Sequence, residues 1–232
     1  MNTFAQAARL NNQGVAALLE GKDMAAVAAL TRSIKMMKKE IFLKPASSAH
    51  SDIMKKSATL SDDCEYSAVE LPGFQGAKES YLFTGAIAIP ENGDQSESNT
   101  QIYSAVVVFN LALAVHREGK NGKIESMAKA QKLYTVILEV LNNQCMNRVA
   151  VIVKLAAINN LSQIRFDCGE YYELAREGLD HLSAFMRAGG NTNRAVLEKP
   201  EIQGLLMNVL LLKEPVFAPA AWRAYVRILT PY

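Results

Sequence analysis

Apolar residues recur at intervals of three and four over most of this chain, which is the spacing of an amphipathic helix. The stretches come in three successive pairs, in residues 1–42, 101–142 and 143–190. A glycine interrupts the pattern within each pair, at Gly21 in the first, near Glu118-Gly119 in the second and at Cys168-Gly169 in the third. Glycine ends helices because it adopts the left-handed conformation without strain. The pattern therefore predicts three helix hairpins.

Residues 198–232, after the third pair, carry two further apolar stretches. The first, residues 200–213, begins with a proline, which is favoured in the first turn of a helix, and is predicted to form a closing helix. The second, residues 218–229, has Trp222 and Tyr225 on one side. It predicts either a last packed helix or a docking element.

The pattern changes between the first and second pairs, in residues 43–100, where acidic residues dominate the charge. Residues 43–63 and 91–100 are polar and rich in turn-forming residues, a composition that predicts loops. Residues 65–71 and 81–89 are predicted to be short strands, because each is rich in apolar residues and ends at a proline. We expect a loop-rich insertion with a small two-stranded ribbon.

Composition adds an expectation about the class of protein. The chain has 232 residues, 50% of them hydrophobic and 21% charged, with a formal net charge of +2. These values indicate one globular domain, 1–232, with no electrostatic attraction to nucleic acid or to a membrane. No apolar run reaches the roughly 18 residues of a membrane-spanning helix. Cys64, Cys145 and Cys168 are odd in number and widely spaced, so we expect reduced thiols in an intracellular, cytoplasmic protein.

The first pair places small and apolar residues at fixed offsets: Leu10, Gly14, Ala17, Gly21 and Ala26. These offsets resemble the tetratricopeptide repeat, in which small residues let the two helices of a hairpin approach closely. Asn110-Leu111-Ala112 and Asn160-Leu161-Ser162 begin similar patterns in the second and third pairs. The resemblance implies an all-α fold, a right-handed superhelix of three hairpins plus a closing helix, to which the two-stranded insertion is added.

A narrower resemblance rests on Phe109-Asn110-Leu111-Ala112-Leu113-Ala114, on Leu133-Tyr134 and on the closing run 204–212. These sequences resemble a set of tetratricopeptide-like proteins from diatoms and related microalgae, most of which have no assigned role. The resemblance covers residues 1–42 and 101–214. It implies the fold and does not specify a function.

Residues suited to catalysis or metal binding are few and scattered. His50, His116 and His181 form no metal-ligand spacing with one another or with the cysteines. Cys168 and His181 would need a third group and an oxyanion-stabilising element to act as a nucleophile pair, and the sequence indicates neither. We therefore expect no enzyme activity, no catalytic residue, no metal site and no cofactor.

One polar series recurs with the repeats. On the tetratricopeptide frame, Asn12, Asn110 and Asn160 occupy the same position of successive hairpins, and Asn208 occupies the equivalent place in the closing helix. The resemblance implies that this position lines a concave groove, where a carboxamide can donate to and accept from the backbone of an extended peptide. The same position can instead tie neighbouring repeats together, so both roles stay open. A groove-facing role requires amides that are free of internal partners.

The predicted function follows from this groove. Arg117 and Gln163 lie near its predicted rim and complete the candidate peptide-binding residues. Its predicted lining is apolar and amide rather than basic, which favours a partner peptide or helix with apolar anchors. We expect a non-catalytic protein–protein interaction scaffold or adaptor. The alternative is a regulator that senses a small ligand or a peptide.

Overall fold

The computed structural model describes residues 3–43, 82–142, 147–168 and 172–188, together with 204–205 and 208–209. The regular elements of these residues are helices, so the prediction of an all-α protein is confirmed. In chain order the helices are α1 (Thr3–Leu19), α2 (Asp23–Leu43), α3 (Glu97–Lys120), α4 (Ile124–Leu141), α5 (Arg148–Cys168) and α6 (Tyr172–Ala188).

The chain divides into two compact units. The first unit comprises Met1–Ala68 and Gly85–Lys154, and the second comprises Val69–Thr84 and Leu155–Tyr232. One division therefore lies within α5, inside the third predicted hairpin, and another lies within the non-helical residues that precede α3. The sequence predicts a single domain and gives no sign of this division, because the apolar periodicity of α5 continues across it.

Helix contacts in the first unit follow the predicted pairs. α1 packs on α2 and α3 packs on α4, while α2 also packs on α3. Gly14 allows the close approach in the first hairpin, since a Cβ atom there would lie 2.5 Å from Leu30 Cγ. Gly119 has the same relation to Met127 Sδ in the second hairpin, also at 2.5 Å. The close contact predicted at Gly14 is confirmed.

The first helix of each of these hairpins ends in the same way. Gly21 and Gly122 have φ angles of 72° and 102°, in the region that favours glycine. The residue after each glycine donates its N–H to the carbonyl five positions back, at 2.8 and 3.3 Å, which is the Schellman arrangement. The predicted turn at Gly21 is confirmed. The second turn lies at Gly122 and not at Gly119, which is inside α3.

In the second unit, α6 packs against the part of α5 that follows Lys154. Gly178 of α6 lies against Ser162 and Ile158 of α5, so a side chain at this position would displace its neighbours. The α6 residues Ala175, Leu179 and Leu182 are buried. α5 ends at Cys168, where the sequence predicts the helix to stop.

The predicted insertion is described only from Leu82 onward. Residues 82–90 are non-helical and contain one isolated bridge residue, Ile87, so the described part of the predicted strand 81–89 forms no ladder. The predicted loop 91–100 is too long, because α3 already begins at Glu97. Ser96 caps this helix by accepting the Asn99 N–H at 3.4 Å.

The remaining predicted elements lie outside the described residues or are described only in part. Residues 44–63, the predicted strand 65–71 and the stretch 218–229 are outside them. Of the predicted closing helix, residues 204–205 and 208–209 are described and are helical.

Helices α3 and α5 are apolar around most of their circumference. Ser98–Lys120 and Arg148–Cys168 are long and apolar enough to cross a membrane by length and composition, a property that a search for uninterrupted apolar runs misses. Within each helix, the most apolar 18 residues are largely buried inside the protein, to 72% in α3 and to 67% in α5. A helix that is apolar on all sides is also what a protein core requires, and this burial accounts for the composition.

Candidate peptide-binding site

Residues 82–90, which we call the internal segment, are non-helical and place most of their side chains in the protein interior. Phe83, Ile87 and Ile89 are each 1% exposed. The even-numbered residues Leu82, Thr84 and Ala88 are only half-buried, although Ala86 is buried as well. An alternation with a period of two is the pattern of an extended chain.

In the first unit, the Asn110 carboxamide binds both backbone groups of Ile87. The Ile87 N–H donates to Asn110 Oδ1 at 3.0 Å, and Asn110 Nδ2 donates to the Ile87 carbonyl at 2.8 Å. Asn110 lies in the middle of α3 and is fully buried. Its amide thus pairs with the segment as a residue of a neighbouring strand would.

Asn12 on α1 makes the same pair of bonds to Ile89, also in the first unit. The Ile89 N–H donates to Asn12 Oδ1 at 2.8 Å, and Asn12 Nδ2 donates to the Ile89 carbonyl at 2.9 Å. Asn12 is half-buried. Two helices therefore hold alternate residues of one segment through the same side-chain chemistry.

In the second unit, Asn160 on α5 binds Phe83 in this way. The Phe83 N–H donates to Asn160 Oδ1 at 2.9 Å, and Asn160 Nδ2 donates to the Phe83 carbonyl at 3.1 Å. Both residues are buried. We refer to Asn12, Asn110 and Asn160 as the asparagine clamps.

The three clamps share one stereochemical requirement. In an extended chain, the N–H and C=O of one residue point to the same edge, and residues two apart share that edge. The clamped residues of the first unit, 87 and 89, are two apart, as this geometry demands. Because every bond goes to backbone atoms, a clamp accepts any extended residue that has an N–H, and it excludes only proline.

A further asparagine supports the clamps of the first unit. Asn11 Nδ2 donates to the Ile87 carbonyl at 3.0 Å and to Asn12 Oδ1 at 3.1 Å. Asn11 Oδ1 accepts a bond from Asn110 Nδ2 at 2.9 Å. The amide group of Asn11 and that of Asn110 therefore each donate two hydrogen bonds. A buried polar group needs such partners if it is not to destabilise the fold.

The second unit contains an equivalent arrangement. Asn159 Nδ2 donates to Asn160 Oδ1 at 3.1 Å, as Asn11 does to Asn12. Asn208 Nδ2 donates to Asn159 Oδ1 at 2.8 Å, as Asn110 does to Asn11. Each unit thus combines an asparagine pair on one helix with a single asparagine that comes later in the chain.

This geometry corrects one expectation about the predicted series. A groove-facing role is expected to leave the amides of Asn12, Asn110 and Asn160 free of internal partners, and the structure does not meet this expectation, because all three bond the backbone of the internal segment. Asn208 contacts Asn159. Asn110 bonds both the backbone of Ile87 and the side chain of Asn11 on another helix, so it bridges elements of the same chain, and the binding of a partner peptide stays a prediction.

Arg117 and Gln163 lie in different surroundings. Arg117 donates to the Leu18 carbonyl at 2.9 Å and pairs with Asp23, whose Oδ1 is 3.2 Å from Arg117 Nε. Arg117 therefore holds the C-terminal end of α1 and the first residue of α2, where its charge and that of Asp23 each suit the helix terminus. Gln163 is buried within α5. Neither of these observations connects the two residues with the internal segment.

Sequence reasoning missed Asn11, Asn159 and the internal segment itself. A signal for the two asparagines exists, since Asn-Asn occurs at 11–12 and again at 159–160, each time on the first helix of a hairpin. The segment carries no comparable signal. Its apolar alternation predicts a strand equally well whether its backbone pairs with another strand or with side chains.

His116 is the buried titratable residue nearest to the clamps along α3. It is fully buried, and its ring centroid lies 5.9 Å from that of Tyr134, edge to face. Neither ring nitrogen has a hydrogen-bond partner within the described residues. Burial, with a smaller contribution from the positive charge of Lys120, lowers the pKa of His116 to about 3. The imidazole is therefore neutral at physiological pH.

A separate concavity of about 490 Å³ lies at the turns of the first unit, lined by residues that include Gly21, Met24 and Asn121. Two charged residues on its wall, Glu118 and Lys123, pair with each other at 3.6 Å. Within the described residues, no group of three or more His, Cys, Asp or Glu side chains is arranged to hold a metal ion.

Comparison with models of known families, with curated proteins and with solved structures finds no match to this chain. The all-α class and the asparagine clamps therefore rest on the chain's own geometry.

Proposed function

We propose that the protein is a non-catalytic protein-interaction scaffold of the tetratricopeptide type, and that it binds an extended segment of a partner protein through its asparagine clamps. In this proposal the three hairpins and the closing helix stack as a right-handed superhelix, and the first helix of each hairpin lines the groove. The observation that carries the proposal is the paired hydrogen bonding of one carboxamide to both backbone groups of one residue, repeated at Ile87, Ile89 and Phe83.

The chemistry of the clamps supports a peptide as the ligand. A carboxamide offers one acceptor and two donor hydrogens, which match the N–H and C=O of an extended residue without reference to its side chain. The three clamps contribute no positive charge that would attract a phosphate or a carboxylate. Among recognition modes that use backbone hydrogen bonds, the arrangement corresponds most closely to the addition of a strand. We accordingly propose a protein or peptide partner in the cytoplasm, and neither nucleic acid nor membrane.

The test compares two amides that lie side by side on α1. Asn12 clamps Ile89, whereas Gln13 is exposed to solvent. Affinity capture with the full chain, followed by mass spectrometry, is carried out for the wild type, Asn12→Ala and Gln13→Ala. We expect Asn12→Ala to lose the partner that the wild type and Gln13→Ala retain.

Circular dichroism provides the control for folding in this comparison. If Asn12→Ala keeps the helical signal of the wild type and still captures the same partner, binding does not use the clamps and the proposal is wrong.

One observation favours the alternative of a peptide-sensing regulator. The clamps are already filled by residues of the same chain. A groove that holds an internal segment can change state when another segment replaces it, which is the behaviour of a sensor rather than of a passive scaffold.

A further inference from the structure

The first unit presents a complete recognition site together with its occupant. Gly85–Pro90 belongs to this unit, as do Asn11, Asn12 and Asn110. Five hydrogen bonds join these asparagines to the backbone of Ile87 and Ile89, at 2.8 to 3.0 Å. The requirements for any other occupant can therefore be derived from the bound residues.

The occupant must supply two clamped residues separated by one. Each needs a backbone N–H, and the intervening chain must be extended so that both point to the same edge. The side chains of Ile87 and Ile89 are each 1% exposed, so the site also takes two large aliphatic groups. Ala86 is 1% exposed as well, so the bound segment carries a small, buried residue before the first aliphatic one.

We propose that the first unit binds in trans an extended peptide with two large aliphatic residues separated by a single residue and preceded by a small one, and that Gly85–Pro90 is the internal ligand of this site. This inference rests on the proposed function and specifies its ligand. The internal ligand competes with the partner peptide for Asn12 and Asn110.

The contacts that retain the internal ligand are the contacts that a partner peptide would make. Beyond Pro90, buried Gly93 lies against Tyr103 of α3, and an ion pair joins Arg9 of α1 to Glu91, with 2.6 Å between Arg9 Nε and Glu91 Oε2 and side chains 48% and 41% exposed. An ion pair this exposed contributes little to retention. Asn11, Asn12, Asn110 and the buried side chains of Ala86, Ile87 and Ile89 therefore hold Gly85–Pro90 in the first unit, and these are the contacts that a competing peptide would replace.

Competition between the internal ligand and a partner peptide lowers the apparent affinity of the wild type for that peptide. The apparent affinity for a partner peptide is its intrinsic affinity multiplied by the fraction of molecules whose internal ligand has left the site. Removing the aliphatic side chains of the internal ligand raises this fraction. The same change must then strengthen binding of a peptide that keeps those side chains.

The experiment uses the full chain and a fluorescent peptide with the sequence of residues 82–91. Fluorescence anisotropy measures its dissociation constant for the wild type and for Ile87→Asp/Ile89→Asp, whose charged side chains are excluded from the buried site. We expect the double variant to bind the peptide at least about tenfold more tightly than the wild type. Adding Asn12→Ala to the double variant should reverse this gain, whereas adding Gln13→Ala should leave it unchanged.

Two control peptides test the recognition itself. One carries Asp at the positions of both isoleucines and lacks the aliphatic groups, and the other carries Pro at the position of Ile87 and lacks the clamped N–H. Neither should bind the double variant. Equal binding of either control peptide would overturn the inference.

A milder variant keeps the test decisive if the double variant fails to fold. Ile89→Ala retains the backbone bonds to Asn12 and shortens only the side chain, and it should bind the peptide about threefold or more tightly than the wild type. A folded Ile89→Ala protein with no gain in affinity would overturn the inference.

The scaffold function is judged separately, by the capture experiment. If capture of a partner still depends on Asn12 when the inference has failed, the scaffold function stands. If capture does not depend on Asn12, the scaffold function fails as well.

Discussion

Each buried asparagine in the first unit has a defined set of hydrogen-bond partners. Removing one carboxamide therefore leaves other buried polar groups without a partner. Asn110 bonds the backbone N–H and carbonyl of Ile87 and donates to the side-chain oxygen Oδ1 of Asn11. The Ile87 carbonyl would keep its bond from Asn11 Nδ2, but the Ile87 N–H would lose the acceptor it has in Asn110. The cost of a substitution therefore depends on the partners left behind more than on the amide that is removed.

Asn110→Ala should accordingly destabilise the protein by about 1–3 kcal/mol, because it leaves a backbone N–H and an amide oxygen buried without partners. Urea denaturation followed by circular dichroism measures the change. Gln13→Ala, which removes an exposed amide from α1, should change the free energy of unfolding by less than about 0.5 kcal/mol. Equal denaturation midpoints for Asn110→Ala and the wild type would contradict the observed hydrogen bonding.

His116 should make stability depend on pH in the acid range. Its pKa is about 3 in the folded protein, whereas an unfolded histidine titrates near 6.5. Below pH 6.5 the unfolded chain takes up a proton that the folded protein does not. The contribution of this group is therefore complete above pH 6.5 and decreases towards pH 3, by about 1.4 kcal/mol per pH unit.

His116→Leu removes this contribution and should flatten the dependence of unfolding free energy on pH between 6 and 4, measured by urea denaturation at successive pH values. His181→Gln replaces an exposed histidine and should keep the slope of the wild type. Identical slopes for His116→Leu and the wild type would show that the imidazole is not buried as described.

Glycines at helix crossings set how closely the hairpins of the first unit pack. Gly14 faces Leu30, which is fully buried and branched, and Gly119 faces Met127, which is half-buried and flexible. Gly14→Ala should be the more destabilising change, by about 1–3 kcal/mol, because Leu30 has no room to move. Gly119→Ala should cost less, since methionine adapts to irregular space. Thermal denaturation of the two variants tests this order, and the reverse order would contradict the packing.

Proline substitutions in the internal segment should lower the melting temperature more at a clamped position than at the position next to it. Ile87→Pro removes an N–H that Asn110 accepts, and it should lower the melting temperature measurably. Ala88→Pro changes a residue whose N–H points to the opposite edge of an extended chain, and it should have the smaller effect. Circular dichroism melting curves compare the two, and equal losses would show that the segment is not held by one edge.

The helices were predictable from sequence because their apolar periodicity is local, and α5 ends at Cys168 as that periodicity indicates. The turn of the second hairpin was misplaced at Gly119, since a glycine at a helix crossing and a glycine at a helix end are alike in sequence. Asn12, Asn110 and Asn160 were found from their repeated position. Their partner was not, because a strand pattern at 81–89 does not reveal that the backbone pairs with side chains 77 or 23 positions away.

At the scale of the whole molecule, slow hydrogen exchange of backbone amides is not expected in the helices alone. The N–H groups of Ile87 and Ile89 lie outside any helix, yet each is bound to a clamp, and both side chains are buried. In native-state hydrogen exchange, these two amides should exchange as slowly as those in the middle of α3. Rapid exchange at both, comparable with that of the turn residue Asn92, would contradict the bound state of the segment.

The positions of the clamps along the chain set the order in which they become available during synthesis on the ribosome. Asn12 precedes Ile89 by 77 residues, whereas Asn110 follows Ile87 by 23 and Asn160 follows Phe83 by 77. Because translation proceeds from the N-terminus, Asn12 has left the ribosome before Ile89 does, and both are outside before Asn110 emerges. Asn110 then becomes available to Ile87, and Asn160 to Phe83 last. In a nascent chain, the clamp of Ile89 is therefore available first, that of Ile87 second and that of Phe83 last, which is the reverse of the order in which these three residues are synthesised.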